Sequence, residues 1–242
     1  MKKPLEAIFF DVDDTIYSTT DFSAKARRNA VRAMIDAGLQ MSEKDCLTEL
    51  EEVIAEFSSN YEHHFDKLLL RIPREKLGGT NPLILVAAGM TGYHDTKFRH
   101  LFPYEDAIEV LRMLREKKVR LGVITAGTGI KQAEKVIRLG LHHLVDSNAI
   151  FITDTIGIAK TNPKLYLRAC QAIHVDPHKT MYVGDRPTSD VDTPGAVGLY
   201  TVLSRRTGKY LNEQGTRQPD HIIHNFYDLM ELIDRDYEIM AR

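Results

Sequence analysis

Three carboxylates crowd the stretch Phe9-Phe10-Asp11-Val12-Asp13-Asp14-Thr15, and an unbroken apolar run, Ala7 to Phe10, leads into them. Such a run suits a fully buried strand, so the acids fall where that strand ends. In an open parallel sheet, the carboxyl end of a strand is where ligands bind. Carboxylates this close repel one another, and burying them is costly unless a cation or a proton lies between them. A hard divalent cation such as Mg²⁺ suits one or two carboxylates plus substrate oxygens.

Three further stretches offer chemistry. Val123-Ile124-Thr125-Ala126-Gly127 places a hydroxyl at a strand end and a glycine after it. A hydroxyl and successive amide hydrogens there can hold phosphate oxygens. Lys160-Thr161-Asn162-Pro163 precedes a helix that begins near Lys164. A lysine gains nothing from a helix N-terminus, which favours anions. Lys160 therefore points to a nearby negative charge, such as Asp11 with a phosphate; an exposed loop lysine is the alternative, and Lys164 competes for the role. Tyr182-Val183-Gly184-Asp185-Arg186-Pro187-Thr188-Ser189-Asp190 puts two carboxylates after an apolar strand.

These residues need a sheet to gather them. From Phe102-Pro103 onward, strands expected at 119–125, 149–153, 180–183 and 199–203 alternate with helices at 104–118, near 130–137, 163–173 and 226–240. The alternation predicts right-handed crossovers and an α/β fold with a doubly wound parallel sheet. Between the first strand and this block lie roughly 80 residues of helical character, a fair size for a small subdomain. There, Ser42-Glu43-Lys44-Asp45 reads as a capping box and Gly38 as a helix stop, while Gly89 and Gly92 weaken a helix over 83–97. The expected division is a core of residues 1–16 and 100–242 with an inserted helical cap of 17–99.

The four stretches, in order, resemble the motifs of the haloacid dehalogenase-like hydrolases, subfamily I, whose core is Rossmann-like. The resemblance implies a Mg²⁺-dependent phosphatase. In it, Asp11 is the nucleophile that forms an aspartyl-phosphate, and Asp13 is the general acid/base whose carbonyl also ligates the metal. Thr15 would shape the turn. Thr125 and the amides around Ala126 and Gly127 would bind the phosphoryl group, and Lys160 would neutralise charge. Asp185 would ligate Mg²⁺, and Asp190 would hold a metal-bound water or orient Lys160. For Asp13 to act as an acid near neutrality its pKa should be raised, and burial and Asp11 are expected to raise it. Departures from the pattern are Ala126, Thr161 and Thr193-Pro194. Within the family, the stretch around Asp11 and Tyr93-His94-Asp95-Thr96-Lys97-Phe98 look like an archaeal branch described as glyceraldehyde 3-phosphate phosphatases. Asp13-Asp14-Thr15-Ile16-Tyr17 is also similar to the pyrimidine 5′-nucleotidase branch.

The alternatives are a nucleotidase, a phosphomutase, a 2-haloacid dehalogenase and a non-catalytic binding protein. A dehalogenase needs neither Asp13 nor a metal, and a silent scaffold would have lost a catalytic acid. The chain carries 32 Lys+Arg against 34 Asp+Glu, without the basic excess a nucleic-acid partner would want. Cys46 and Cys170 are expected as thiols of a reducing cytosol. The first residues lack the apolar region of a signal peptide, and no run reaches membrane-span length, so a cytoplasmic protein is expected; the resemblance implies a small phosphorylated metabolite as its partner. Tyr61, His63, His64, Arg71, Tyr93 and Lys97 are the cap residues that could reach a substrate, although packing or solvation is the simpler role for each. His63-His64 has no third ligand at zinc spacing.

Overall fold

A computed structural model describes residues 2–240. Contacts divide the chain into two units, one running up to Thr20 and again from Phe102, the other spanning Asp21–Leu101. These boundaries fall a few residues later than 16/17 and 99/100. The first turn of helix α1 (Thr19–Asp36) stays with the acidic turn because Thr19 and Thr20 bond to Asp13 and Asp14.

The first unit opens with strands β1 (Lys3–Leu5) and β2 (Ala7–Phe10). After α1, the second unit holds α2 (Glu43–Phe57), α3 (His64–Arg71) and α4 (Pro82–His100). The first unit resumes with α5 (Glu105–Glu116), β3 (Arg120–Thr125), α6 (Gly129–Arg138), β4 (Ile150–Ile152) and the short α7 (Thr153–Ile156). It closes with α8 (Lys164–Ala172), β5 (Thr180–Gly184), α9 (Thr193–Gly195), β6 (Tyr200–Ser204), β7 (His221–Ile223), α10 (Phe226–Asp236) and β8 (Tyr237–Ile239).

Among the described residues, six strands form one parallel sheet in the order β4-β3-β2-β5-β6-β7. Chain order reverses beside β2, which pairs with β3 on one side and β5 on the other. That reversal is the switch point at which doubly wound sheets bind ligands. Every side chain of β2 is buried, as a strand covered on both faces requires. Phe9 meets Phe151 edge-on at 5.8 Å and Phe10 stacks on Phe226 at 6.0 Å. This anchoring fixes where Asp11 leaves the sheet.

Three expectations need correction. The closing helix stops at Asp236 rather than Met240, and Tyr237-Glu238-Ile239 pairs in parallel with Lys3-Pro4-Leu5. Alternating apolar and polar residues there suit a strand, and the Tyr237 ring packs on Tyr200 at 5.1 Å. β4 ends at Ile152, because Thr153 turns into α7. β7 was not expected, since its three residues carry too short an apolar signal.

In the helical unit the Ser42 hydroxyl accepts from the Asp45 amide at 3.1 Å, capping α2. Gly92, expected to weaken α4, has a packing reason. A Cβ there would lie 2.8 Å from the Asn29 carbonyl oxygen, so glycine lets α4 press against α1. No helix among the described residues is long and apolar enough to cross a membrane.

Candidate active site

The turn after β2 aims its carboxylates in different directions. Asp11 hydrogen-bonds through its amide to the Val183 carbonyl of β5 at 2.9 Å, which extends the sheet by one residue and delivers its side chain to the switch point. The turn closes through the amides of Thr15 and Ile16 on the Val12 carbonyl. Asp14 takes a left-handed φ of 55°, a region tolerated by Asp, and accepts from the Thr20 amide and hydroxyl at 2.9 and 3.0 Å. The Thr15 hydroxyl itself is buried without a protein partner, so backbone bonds rather than its side chain hold the turn.

Around Asp11 the structure gathers Lys160, Asp185 and Asp190, all less than a tenth exposed. Lys160 Nζ lies 2.7 Å from Asp11 and 2.9 Å from Asp190. It also sits over the Tyr182 ring at 5.5 Å, whose hydroxyl donates to the Ile124 carbonyl. Lys164, the competing lysine, is exposed at the start of α8. The Asp190 carboxylate accepts from Lys160, the Ser189 hydroxyl and the Arg186 amide. Gly184 makes room for it, since a Cβ there would stand 2.4 Å from an Asp190 oxygen. Lys160 thus bridges Asp11 and Asp190.

Asp185 differs. One of its oxygens is buried with no hydrogen-bond partner. Asp11, Asp185 and Asp190 each offer an oxygen within 4.8 Å of the others. Burial pushes the Asp11 carboxyl up to about 7 against the pull of Lys160, with Asp190 and Asp13 adding to the rise. Burial, then Asp11 and Asp190, push Asp185 to about 9. For Lys160, burial acts downward, but Asp11 and Asp190 hold its pKa above the ordinary value. A single lysine thus leaves surplus negative charge and a bare carboxylate oxygen. A hard divalent cation fits that donor set.

Asp13 lies in the opposite environment. Its Oδ1 accepts from the Tyr17 hydroxyl at 2.6 Å and the Thr19 hydroxyl at 2.7 Å. Lys135 Nζ donates to its two oxygens at 2.7 and 2.8 Å, and Gln132 Nε2 reaches Oδ2 at 3.2 Å. Burial acts to raise the Asp13 pKa, but the Lys135 charge and these hydrogen bonds outweigh it and hold the carboxyl below its ordinary value. This corrects the expectation of a raised Asp13; nothing in the sequence pattern marked Lys135, Gln132, Tyr17 or Thr19. The signal was in α6. On that helix Ile130 and Ile137 are 78% and 61% exposed, while Gln132 is 4% exposed. A buried glutamine between exposed isoleucines is a helix face turned toward a polar partner.

Thr125 ends β3 fully buried, its hydroxyl 3.3 Å from Gln132 Oε1. The Ala126 carbonyl accepts from Gln132 Nε2 at 2.8 Å. Gly127, at φ 135°, takes a conformation that side chains disfavour and turns its amide toward Thr153.

Arg71 pairs with Glu49, Glu52 and Glu56, and His63 with Asp66. His64 Nε2 lies 2.8 Å from the Ser58 carbonyl, Tyr61 stacks on Phe57, and Tyr93 meets Phe22 edge-on. Lys97 is half-buried on α4. Cys46 and Cys170 are buried free thiols.

Comparison with known proteins agrees with this geometry. Residues 5–198 match the haloacid dehalogenase-like hydrolase model. The chain is 44% identical over 218 residues to a glyceraldehyde 3-phosphate phosphatase of Methanopyrus kandleri, covering 89% of this chain and 90% of that protein. It is 35% identical over 230 residues to the protein of the same name from Methanothermobacter thermautotrophicus, covering 95% and 96%. Among solved structures, a HAD phosphatase from Thermococcus onnurineus superposes with a TM-score of 0.66 at 21% identity, over 95% of this chain and 98% of that one. A 2-haloacid dehalogenase from Pseudomonas syringae pv. Tomato DC3000 superposes with a TM-score of 0.61 at 22% identity, over 96% and 99%. These two likenesses speak to the fold alone. With the family model matched from strand β1 to the turn before β6, the chain belongs to the haloacid dehalogenase-like hydrolases.

Proposed function

We propose that this protein is a phosphatase that hydrolyses small phosphate monoesters through an aspartyl-phosphate on Asp11, with glyceraldehyde 3-phosphate as a substrate. The observation that carries the reading is the Asp11–Lys160–Asp190 chain beside Asp185, whose bare oxygen marks a cation site. The substrate comes from the names of the relatives at 44% and 35% identity.

Asp11 and Asp185, with the Asp13 carbonyl, would hold Mg²⁺, which when bound neutralises phosphoryl oxygens. Asp11 attacks phosphorus, and the ester oxygen departs with a proton from Asp13. Lys160, positioned by Asp190, stabilises the charge on the transferring group, the main contribution to phosphoryl transfer. Water then attacks the aspartyl-phosphate, giving its proton to Asp13 and freeing Asp11. As held by Lys135, Asp13 is the carboxylate this second step needs. The first step needs it protonated, and the negative phosphate entering beside it raises its proton affinity. The buried Thr125 hydroxyl is assigned to a phosphoryl oxygen; the Gly127 amide, expected beside it, is instead turned to the Thr153 hydroxyl. The names of the relatives point to a small group beyond the phosphate. Partners are therefore small metabolites, and the reading includes a cytoplasmic location.

Inorganic phosphate release should be followed for glyceraldehyde 3-phosphate, sugar phosphates and nucleoside monophosphates, with Mg²⁺ and with excess chelator. Mg²⁺-dependent release is expected, highest for the triose phosphate. Full activity in chelator, or a phosphorylated isomer in place of free phosphate, would overturn the reading.

A further inference from the structure

The family motifs contain no residue for the far side of Asp13, yet the structure builds one. Lys135 lies on the inward flank of α6, one turn beyond Gln132, and its side chain is only 18% exposed. A half-buried lysine on the inner side of a helix loses hydration, and it is stable there only against a matching anion. Its ammonium spans both oxygens of Asp13 at 2.7 and 2.8 Å and lies over the Tyr17 ring at 5.9 Å. Gln132 is itself fixed, by the Ala126 carbonyl and by Thr125. The Asp13 side chain is therefore held from two elements, α6 on one side and Tyr17 with Thr19 on the other.

We propose that Lys135, steadied by its place beside Gln132 on α6, is the positioning residue for the general acid/base Asp13. The proposal rests on the phosphatase reading. When Asp13 passes its proton to the ester oxygen, the bond from phosphorus to that oxygen breaks and Asp13 becomes an anion. Lys135 already faces both oxygens of that anion and steadies the charge that Asp13 gains as the bond breaks. A group that acts through Asp13 matters only as far as the leaving oxygen needs a proton. An alkoxide needs one; a p-nitrophenolate does not.

The test measures kcat/KM, which reports the first irreversible step, for glyceraldehyde 3-phosphate and p-nitrophenyl phosphate with wild type, K135M, K135Q and K135R. D13N is the reference. Positioned proton transfer contributes about 100-fold or more. K135M and K135Q should lose roughly that much on the alkyl ester and about tenfold less on the aryl ester, with KM little changed. D13N should follow the same profile more steeply, and K135R should recover most of the alkyl-ester activity. Melting temperatures separate misfolding from misplacement, and K135Q, which keeps a donor without the charge, serves if K135M does not fold. Equal losses on both esters, or no loss on either, would overturn the proposal. A wild type that released phosphate from neither ester would overturn the phosphatase reading itself, and the proposal with it.

Discussion

Asp11 and Asp13 stand two residues apart, yet the turn after β2 sends them into opposite surroundings. Asp11 shares one lysine with Asp190 and faces Asp185, so negative charge is in excess and protonation is favoured. Asp13 has a lysine to itself plus two hydroxyls and an amide, so its charged form is favoured despite burial. Both are acids on one short turn, and neighbours rather than residue type decide their behaviour. The first cluster suits a cation and a phosphate; the second suits a proton that comes and goes.

The largest effect that would break this contrast is on turnover. Asp11→Asn removes the attacking oxygen and should lower kcat by about 10⁴-fold or more with an unchanged circular dichroism spectrum. Activity within tenfold of wild type would place the nucleophile elsewhere.

Removing Lys160 should be next in size. K160M leaves Asp11 and Asp190 facing one another without a cation, which should cost about 3–5 kcal/mol in denaturant unfolding of the metal-free protein and about 100-fold in kcat. Added Mg²⁺ should return part of the stability. A variant as stable as wild type without metal would mean that the cluster is not short of positive charge.

The two clusters should also respond to neutralisation with opposite signs. Asp185→Asn relieves repulsion and should stabilise the metal-free protein by about 1 kcal/mol while abolishing its stabilisation by Mg²⁺. Asp13→Asn strands Lys135 and should destabilise by about 2 kcal/mol. Thermal unfolding at pH 8 without metal reads both, and shifts of the same sign would contradict the contrast.

The contrast can also be read in pH. Asp11 and Asp185 titrate at about 7 and about 9 in the folded protein against an ordinary 3.8, so the metal-free folded state binds more protons than the unfolded chain in between. Stability from these groups is complete at low pH and is lost as pH rises toward 9. The melting temperature of the D185N variant minus that of wild type should therefore grow from pH 5 to pH 9. Stabilisation by Mg²⁺ should grow over the same range, because metal displaces protons. A flat difference would remove the charge-excess account.

What the sequence revealed divides along the same line. Asp11, Lys160 and the pair Asp185 and Asp190 come from three places in the chain, but each follows a strand or precedes a helix, and parallel strands bring such ends together at the switch point. Their residue types and order were therefore enough to foresee a cluster. The Asp13 cluster was not legible, because it depends on the rotational phase of α6. The sequence marked a helix there without its phase, and in the structure Ile130 and Ile137 face outward while Gln132 and Lys135 reach Asp13. β8 and the true end of α10 were missed because their pairing joins residues far apart in sequence, Lys3 with Tyr237, and β7 because its three residues carry too short an apolar signal.

The central claim is that Asp11 carries the phosphoryl group between the two steps. Rapid quenching during turnover of a phosphate ester with Mg²⁺, followed by borohydride reduction and peptide mass mapping, tests this most directly. Reduction of an aspartyl-phosphate leaves homoserine, and the account predicts homoserine at position 11. Homoserine at position 13, a phosphorylated side chain elsewhere, or turnover with no covalent phosphate on the protein would contradict it.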